Sequence, residues 1–294
     1  RGQADLALPR VDRAMNEEPL SAEQPDLDLE IDLLLEAIYR KYSYDFRHHA
    51  RASIRRRVQA ALTSFGVDRV SLLQDRILRD PTAFTALLRQ LTVPVSDMFR
   101  DPSYFRALAE HVAPMLATYA SLKVWVAGCS TGEEVYSLAI LLDEAGLLDR
   151  ALLYATDINP ESLRAAEAGV YALDRVPGFT RNYQQAGGTR SLADYYTAAY
   201  GGIALDRRLR ARITFSDHCL ATDQVFAEVH LVSCRNVLIY FDRELQDRAL
   251  ALFRDSLVPR GFLGLGSRET LRVSRHADAF DEVSRDERIY RRSA

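Results

Sequence analysis

From Leu29 to about Thr118 the apolar positions repeat at helical spacing. Ile31, Leu34, Leu35 and Ile38 fall at i, i+3, i+4 and i+7, the stripe of an amphipathic helix. A second helix is predicted from about His49 to Ser64. Asp80-Pro81 and Asp101-Pro102 each read as an N-cap followed by proline at the first helical position. Residues 29–118 are thus expected to be all-helical. At Leu122 the period changes. LKVWVAGCSTGEE is a short apolar strand, a small-residue turn and a helix opening at Glu133, and ALLYATDINPESL repeats the design with an acid at the strand end. EVHLVSCRN is a third buried strand. Asp242 caps a helix carrying Leu245, Ala249, Leu252 and Phe253, which Pro259 and Gly261 stop. GFLGLGS is a further strand and RDERIYRRS a last edge strand. Strands alternating with helices predict an α/β fold with a mainly parallel doubly wound sheet, its ligand beyond the carboxyl ends of the strands. Between Gly169 and Phe215 the alternation breaks. Tyr171, Tyr183, Tyr195, Tyr196, Tyr200 and two Gly-Gly pairs suit a small antiparallel insert, either a recognition element or a passive surface loop.

Composition narrows the class. Of 294 residues, 48% are hydrophobic and 27% charged, which fits a globular chain and excludes wholesale disorder. A net charge of −3 argues against a general polyanion binder. The charge is unevenly spread: residues 1–36 hold ten acids and three bases, residues 37–60 seven bases and one acid. Polar residues and three prolines make positions 1–25 read as linker, and Arg1 in place of Met reads as the start of an excised segment. Arg47, Arg51 and Arg55 stand four apart on the predicted second helix, and Arg55, Arg56 and Arg57 are consecutive. They form either a solvated face or one that meets an acidic partner. No apolar run approaches a membrane span, and no signal-peptide core opens the chain. Cys129, Cys219 and Cys234 are far apart, with no C-x-x-C or H-x-x-x-H spacing, so neither a disulfide nor a metal site is expected. These features predict a soluble chain of a reducing, cytoplasmic compartment.

The chemistry concentrates in Gly128-Cys129-Ser130-Thr131-Gly132-Glu133-Glu134. Small residues between strand and helix let a ligand reach the backbone. The P-loop and Gly-x-Gly-x-x-Gly patterns are absent, and paired glutamates would repel a pyrophosphate. Ser130 and Glu133 have capping-box spacing, which leaves Glu134 as the ligand contact. Asp157 ends the next strand, where an acid binds ribose hydroxyls or caps a helix; Asn159 can cap that helix alone. A nucleoside without phosphates fits, and S-adenosylmethionine is one.

VWVAGCSTGEEVYSLAI, YATDINPESLRAAEAGVY and SCRNVLIYFD resemble the CheR-type chemotaxis receptor methyltransferases, and YSYDFRHHARASIRRRV and LTVPVSDMFRDPSYF resemble that family's helical domain. The resemblance spans residues 28–292. It implies an N-terminal all-helical domain and a class I methyltransferase domain with a seven-stranded, mainly parallel sheet and an inserted antiparallel β-subdomain. The expected bounds are an acidic linker at 1–27, a helical substrate-docking domain at 28–100, a linker helix at 101–120 and a methyltransferase domain at 121–294, with the insert at 171–212. It further implies methyl transfer from S-adenosylmethionine to receptor glutamates, leaving S-adenosylhomocysteine. Cofactor contacts would fall on Pro94, Ser96, Arg100, Gly128, Glu134, Asp157, Cys219, Leu220, Cys234 and Arg235. Arg100 and Tyr240 would line the acceptor site, and Arg47, Arg51, Arg55, Arg56 and Arg57 would dock the acidic cytoplasmic signalling domain of a methyl-accepting receptor. Pro94 and Cys219 stand where the family usually has Asn, and proline supplies no amide donor.

A carboxylate is ionised at neutral pH, so this transfer needs positioning rather than a general base. Nucleic acid is not an expected partner: there is no Pro-Cys for a cytosine C5 enzyme and no Pro-Pro for an amino-methylating loop. A CheR-like sensor or scaffold that binds cofactor without transfer is the alternative that Pro94 and Cys219 keep open. A monomer is expected.

Overall fold

The computed structural model describes residues 23–92, 95–272 and 274–294. Four helices come first: α1 (Glu23–Tyr42), α2 (Arg51–Phe65), α3 (Val70–Arg79) and α4 (Pro81–Leu91). Their apolar stripes close one core around Ile31, Leu34, Ile38, Val58, Leu73 and Leu87. Because α1 opens at Glu23, residues 23–27 are helix rather than linker; positions 1–22 lie outside the described residues. Asp80 caps α4 as predicted, accepting from the Thr82 amide at 2.8 Å with Pro81 at the first position. Asp101 does not cap the next helix, α5 (Pro102–Ala107): its carboxylate is taken by Arg235 instead. A π-helical turn, Leu108–Val112, carries α5 into α6 (Ala113–Leu116).

The α/β part runs β1 (Leu122–Ala127), α7 (Glu133–Glu144), β2 (Ala151–Asp157) and α8 (Pro160–Ala168). The insert supplies β3 (Val170–Ala172), α9 (Val176–Gln185), β4 (Tyr196–Ala199), β5 (Gly202–Leu205) and α10 (Arg207–Arg210). Then follow β6 (Ile213–Asp217), β7 (Val229–Cys234), α11 (Arg243–Ser256), β8 (Leu257–Leu265), β9 (Phe280–Ser284) and β10 (Ile289–Arg292). The main sheet has seven strands in the order β6-β2-β1-β7-β8-β10-β9, and β3-β5-β4 form a separate antiparallel sheet. Strands β6, β2, β1, β7 and β8 are parallel, while β10 is antiparallel to both neighbours.

Burial on both faces explains the continuous apolar reading of β1: Val124 and Val126 face one core layer, Trp125 and Ala127 the other. Two boundaries differ from the sequence reading. The last helix ends at Ser256, and Pro259 and Gly261 lie within β8, beside a register shift opposite Val229–Leu231 where a missing N–H is tolerated. The final strand is not an edge either. β10 sits between β8 and β9 with Ile289 and Tyr290 buried, and β9 takes the edge.

The two parts of the chain meet through backbone. The Ala50 amide donates to the Tyr240 carbonyl at 2.7 Å, and the Asp242 amide to the His48 carbonyl at 2.8 Å. This short antiparallel bridge pairs His49 with Phe241. It replaces the first predicted turn of α2, which begins at Arg51.

Candidate active site

At the β1–α7 turn the amides of Gly128 and Cys129 both donate to the Thr156 carbonyl, at 2.8 and 2.9 Å. Gly128 has φ 74°, and a Cβ there would sit 2.5 Å from a methyl of Val237, so this turn admits only glycine without rearrangement. The expected capping box is not formed. The Ser130 amide donates to Asp157 at 2.8 Å, and its buried hydroxyl has no partner among the described residues. Glu133 is fully buried, accepting from Arg175 at 2.5 Å and from the Thr131 hydroxyl at 2.7 Å. Arg175 also donates to the Ser96 carbonyl at 2.6 Å. Glu133 therefore anchors the insert and the Ser96 segment to the turn.

Glu134 faces the other way. It accepts from the Ser233 hydroxyl at 2.7 Å and from Arg235 at 3.1 Å. Arg235 donates as well to Asp101 at 2.7 Å and to the Arg100 carbonyl at 2.9 Å, and its guanidinium lies 4.1 Å from the centre of the Tyr104 ring. The Tyr104 and Ser233 hydroxyls are 2.8 Å apart. Burial pushes the Tyr104 phenol up, so it stays protonated. One network thus fixes the carboxylate of Glu134 and the backbone that carries Arg100. Arg100 itself makes one side-chain hydrogen bond among the described residues, a long one of 3.4 Å to the Val95 carbonyl.

Asp157 ties two loops together, accepting from the amides of Ser130 at 2.8 Å and Asn159 at 2.9 Å. Burial raises its pKa, and these amides oppose the rise. Asn159 caps α8 on its own, so Asp157 is free of that duty, as the sequence implied. The Cys219 amide donates to Asp223 at 2.9 Å, fixing the loop that brings Leu220 forward.

These pieces surround one cavity of about 300 Å³. Ser96, Arg100, Gly128, Glu134, Asp157, Cys219, Leu220, Arg235 and Tyr240 all line it. One predicted contact does not. The Cys234 side chain is completely buried in the sheet core, where burial pushes its thiol well up. Pro94 lies outside the described residues. Sequence reasoning missed the roof: Asp45, Phe46 and His49, from the segment between α1 and α2, also line the cavity. Its signal was available, an aromatic and titratable run with no helical period between two helices. His49 is pushed down to about 4 by burial and by Arg57, and its Nδ1 is without a partner among the described residues.

The basic helix reads differently in three dimensions. Arg47 pairs with Glu36 at 3.0 Å, Arg51 with Asp32 at 2.5 Å and Arg55 with Asp28 at 2.5 Å. Acids four apart on α1 zip to arginines four apart on and before α2. All three are thus already paired within the chain, Arg51 and Arg55 with acids of α1 and Arg47 with Glu36 of α1 and, at 2.8 Å, with Asp45. Arg57 is half-buried, donating to the Leu91 carbonyl at 2.7 Å with its guanidinium 4.9 Å from the Tyr240 ring centre. Arg56 is left exposed.

The cavity suits a ligand of mixed chemistry. Glu134 and Asp157 match an ammonium and ribose hydroxyls, and Leu220, Ile158 and Phe241 an apolar ring. S-adenosylmethionine carries all of these groups, and the unpartnered Ser130 hydroxyl is a further polar contact in reach of the same turn.

Comparison with known proteins agrees. Residues 94–289 match the family described as "CheR methyltransferase, SAM binding domain", and residues 29–92 match "CheR methyltransferase, all-alpha domain". The chain is 57% identical over 266 residues to the "Putative methyltransferase Cher3" of Pseudomonas putida, covering 90% of this chain and 97% of that protein. It is 30% identical over 273 residues to the "Chemotaxis protein methyltransferase" of Klebsiella aerogenes, covering 89% and 87% respectively. Among solved structures, the N-methyltransferase NodS of Bradyrhizobium japonicum, in complex with S-adenosylhomocysteine, matches 68% of this chain and 90% of its own at 15% identity and a TM-score of 0.38. The chain belongs to the CheR methyltransferase family, with S-adenosylmethionine as its cofactor.

Proposed function

We propose that this chain methylates glutamate side chains on the cytoplasmic signalling domain of a methyl-accepting receptor, in the cytoplasm, forming methyl esters. In this reading residues 28–100 dock the receptor and residues 121–294 carry out the transfer. The observation that carries it is the convergence of Arg100 and Tyr240 on the cavity that Glu134 and Asp157 line. S-adenosylmethionine, when bound, supplies an electrophilic methyl group. Glu134 holds its ammonium end, Asp157 its ribose, and Gly128, Ser96, Cys219 and Leu220 pack around the remainder. Arg100, whose guanidinium is barely engaged, holds the acceptor carboxylate in a paired hydrogen bond. Tyr240 orients that carboxylate through its hydroxyl. No residue needs to take a proton, because the acceptor is already an anion. Positioning then sets the rate. The pairing of Arg47, Arg51 and Arg55 narrows receptor docking on α2 to Arg56 and the edge of Arg57.

Labelled methyl transfer to receptor fragments, with labelled methanol released when base hydrolyses the ester, tests this. The wild type is expected to form base-labile esters and Arg100→Ala to fall by about 100-fold or more. Tight cofactor binding without any ester would instead favour a sensor or scaffold.

A further inference from the structure

We infer that Glu269 is a positioning residue that clamps the Tyr240 loop, with Gln246 as its counterpart from the opposite side. The inference rests on the acceptor role proposed for Tyr240. Glu269 is buried, 4% exposed, in the turn that follows β8. Among the described residues no arginine pairs with it; backbone amides donate to it instead. One oxygen accepts from the Asn236 amide at 3.1 Å and the Gly266 amide at 2.6 Å, the other from the Ile239 amide at 3.3 Å. Burial raises its pKa, and the surrounding backbone N–H groups work against that rise.

The loop so held needs holding. It leaves β7 through Asn236 at φ 60°, a left-handed conformation unusual for a residue with a side chain. It then closes one tight 3-10 turn, Leu238–Tyr240. Such a turn leaves early amides and late carbonyls without intrahelical partners. Glu269 takes the amides of Asn236 and Ile239. Gln246 on α11 donates to the Phe241 carbonyl at 3.1 Å and, at 3.0 Å, to the Leu238 carbonyl, which also accepts the turn's own bond from the Phe241 amide. The helical domain completes the set through Ala50, whose amide takes the Tyr240 carbonyl at 2.7 Å. Gly266 fits only because it lacks a side chain: a Cβ would lie 2.8 Å from both the Asn236 nitrogen and a Glu269 oxygen. The three bonds that Glu269 accepts all serve the turn of β8 or the loop that presents Val237 and Tyr240 to the cavity.

The test uses the full chain and two readouts. Glu269→Gln keeps the shape but turns an amide NH₂ toward N–H donors, and Gln246→Ala removes the carbonyl partner from a partly exposed helix position. By hydrogen exchange, amides of residues 236–241 are expected to exchange at least about tenfold faster in either variant, with β1 and β2 unchanged. In methyl transfer, Glu269→Gln is expected to lower kcat by about 10- to 100-fold while the cofactor Kd moves less than about twofold. In a Tyr240→Phe background the same substitution should cost less than about twofold more, because both act through one group. Unchanged exchange at 236–241 overturns the inference, and so does an equal loss of kcat with Tyr240 already removed. If Glu269→Gln does not fold, Gln246→Ala decides by the same criteria. If the wild type transfers no methyl group, the proposed function falls, and the exchange measurement still decides the clamp.

Discussion

Replacing Arg235 by methionine should destabilise the protein by about 3–4 kcal/mol, and the structure says where each part comes from. The Arg235 side chain is 1% exposed, Glu134 14% and Asp101 41%. Removing one partner of a buried pair costs about 3–5 kcal/mol because a charge is left in low dielectric. That figure belongs to Glu134, reduced because the Ser233 hydroxyl remains bonded to it. Asp101 is exposed enough to rehydrate, so its share falls to the 0–1 kcal/mol or so of a surface pair. The Arg100 carbonyl loses a donor, a further penalty of about 1 kcal/mol. Methionine fills most of the aliphatic stem beside Tyr104, so cavity formation adds little. Urea denaturation followed by circular dichroism measures the loss, and calorimetry with S-adenosylmethionine measures its effect on affinity. The double variant Arg235→Met/Glu134→Gln separates an orphaned charge from lost packing. It should recover about 1–2 kcal/mol relative to the sum of the single changes. A single variant within about 1 kcal/mol of wild type, or strict additivity in the pair, would refute the network as a source of order at the site.

Two further outcomes follow from the cavity. His49 is held down to about 4, so between its unfolded value near 6.5 and 4 the unfolded state binds a proton that the folded state excludes. Stability should therefore fall as pH drops from about 6.5 to 4, by about 2–3 kcal/mol at most, and His49→Gln should flatten that part of the curve. His230 is also lowered, by burial first, so the difference between wild type and variant is the quantity to measure, and identical curves would exclude His49. Cys219 and Cys129 both line the cavity, but Cys129, like Cys234, is buried with its thiol pushed well up. Iodoacetamide should label Cys219 first, and saturating S-adenosylmethionine should slow that labelling at least about tenfold. Mass spectrometry reads both, and labelling indifferent to the cofactor would move the binding site away from Cys219.

Much of the fold was legible because burial writes itself into the period of the chain. The apolar stripe of α1, the continuous apolar runs of β1 and β7, and the caps at Asp80, Asn159 and Asp242 all appear as short-range patterns. What escaped were long-range assignments. Asp101 looks like a cap from its neighbour Pro102, but Arg235, 134 residues away, makes the better bond. Ser130 and Glu133 have capping-box spacing, yet Asp157 and Arg175 draw them apart. Local spacing shows what a polar side chain is able to do. Competition from a charged partner elsewhere decides what it does.

The basic helix shows the same competition at the level of domains. Three arginines at four-residue spacing repel one another, so the sequence demands an acidic partner. A partner protein satisfies that demand only if nothing nearer does. Asp28, Asp32 and Glu36 repeat at the same spacing on the helix just before, and an antiparallel hairpin aligns the two rows pair by pair. An intramolecular partner held by a short connection has an effective concentration that a separate protein rarely matches. The exposed Arg56 and the half-buried Arg57 are outside that zipper. Arg57 turns toward Tyr240, so the basic helix reaches the candidate acceptor site through one guanidinium rather than through a charged face.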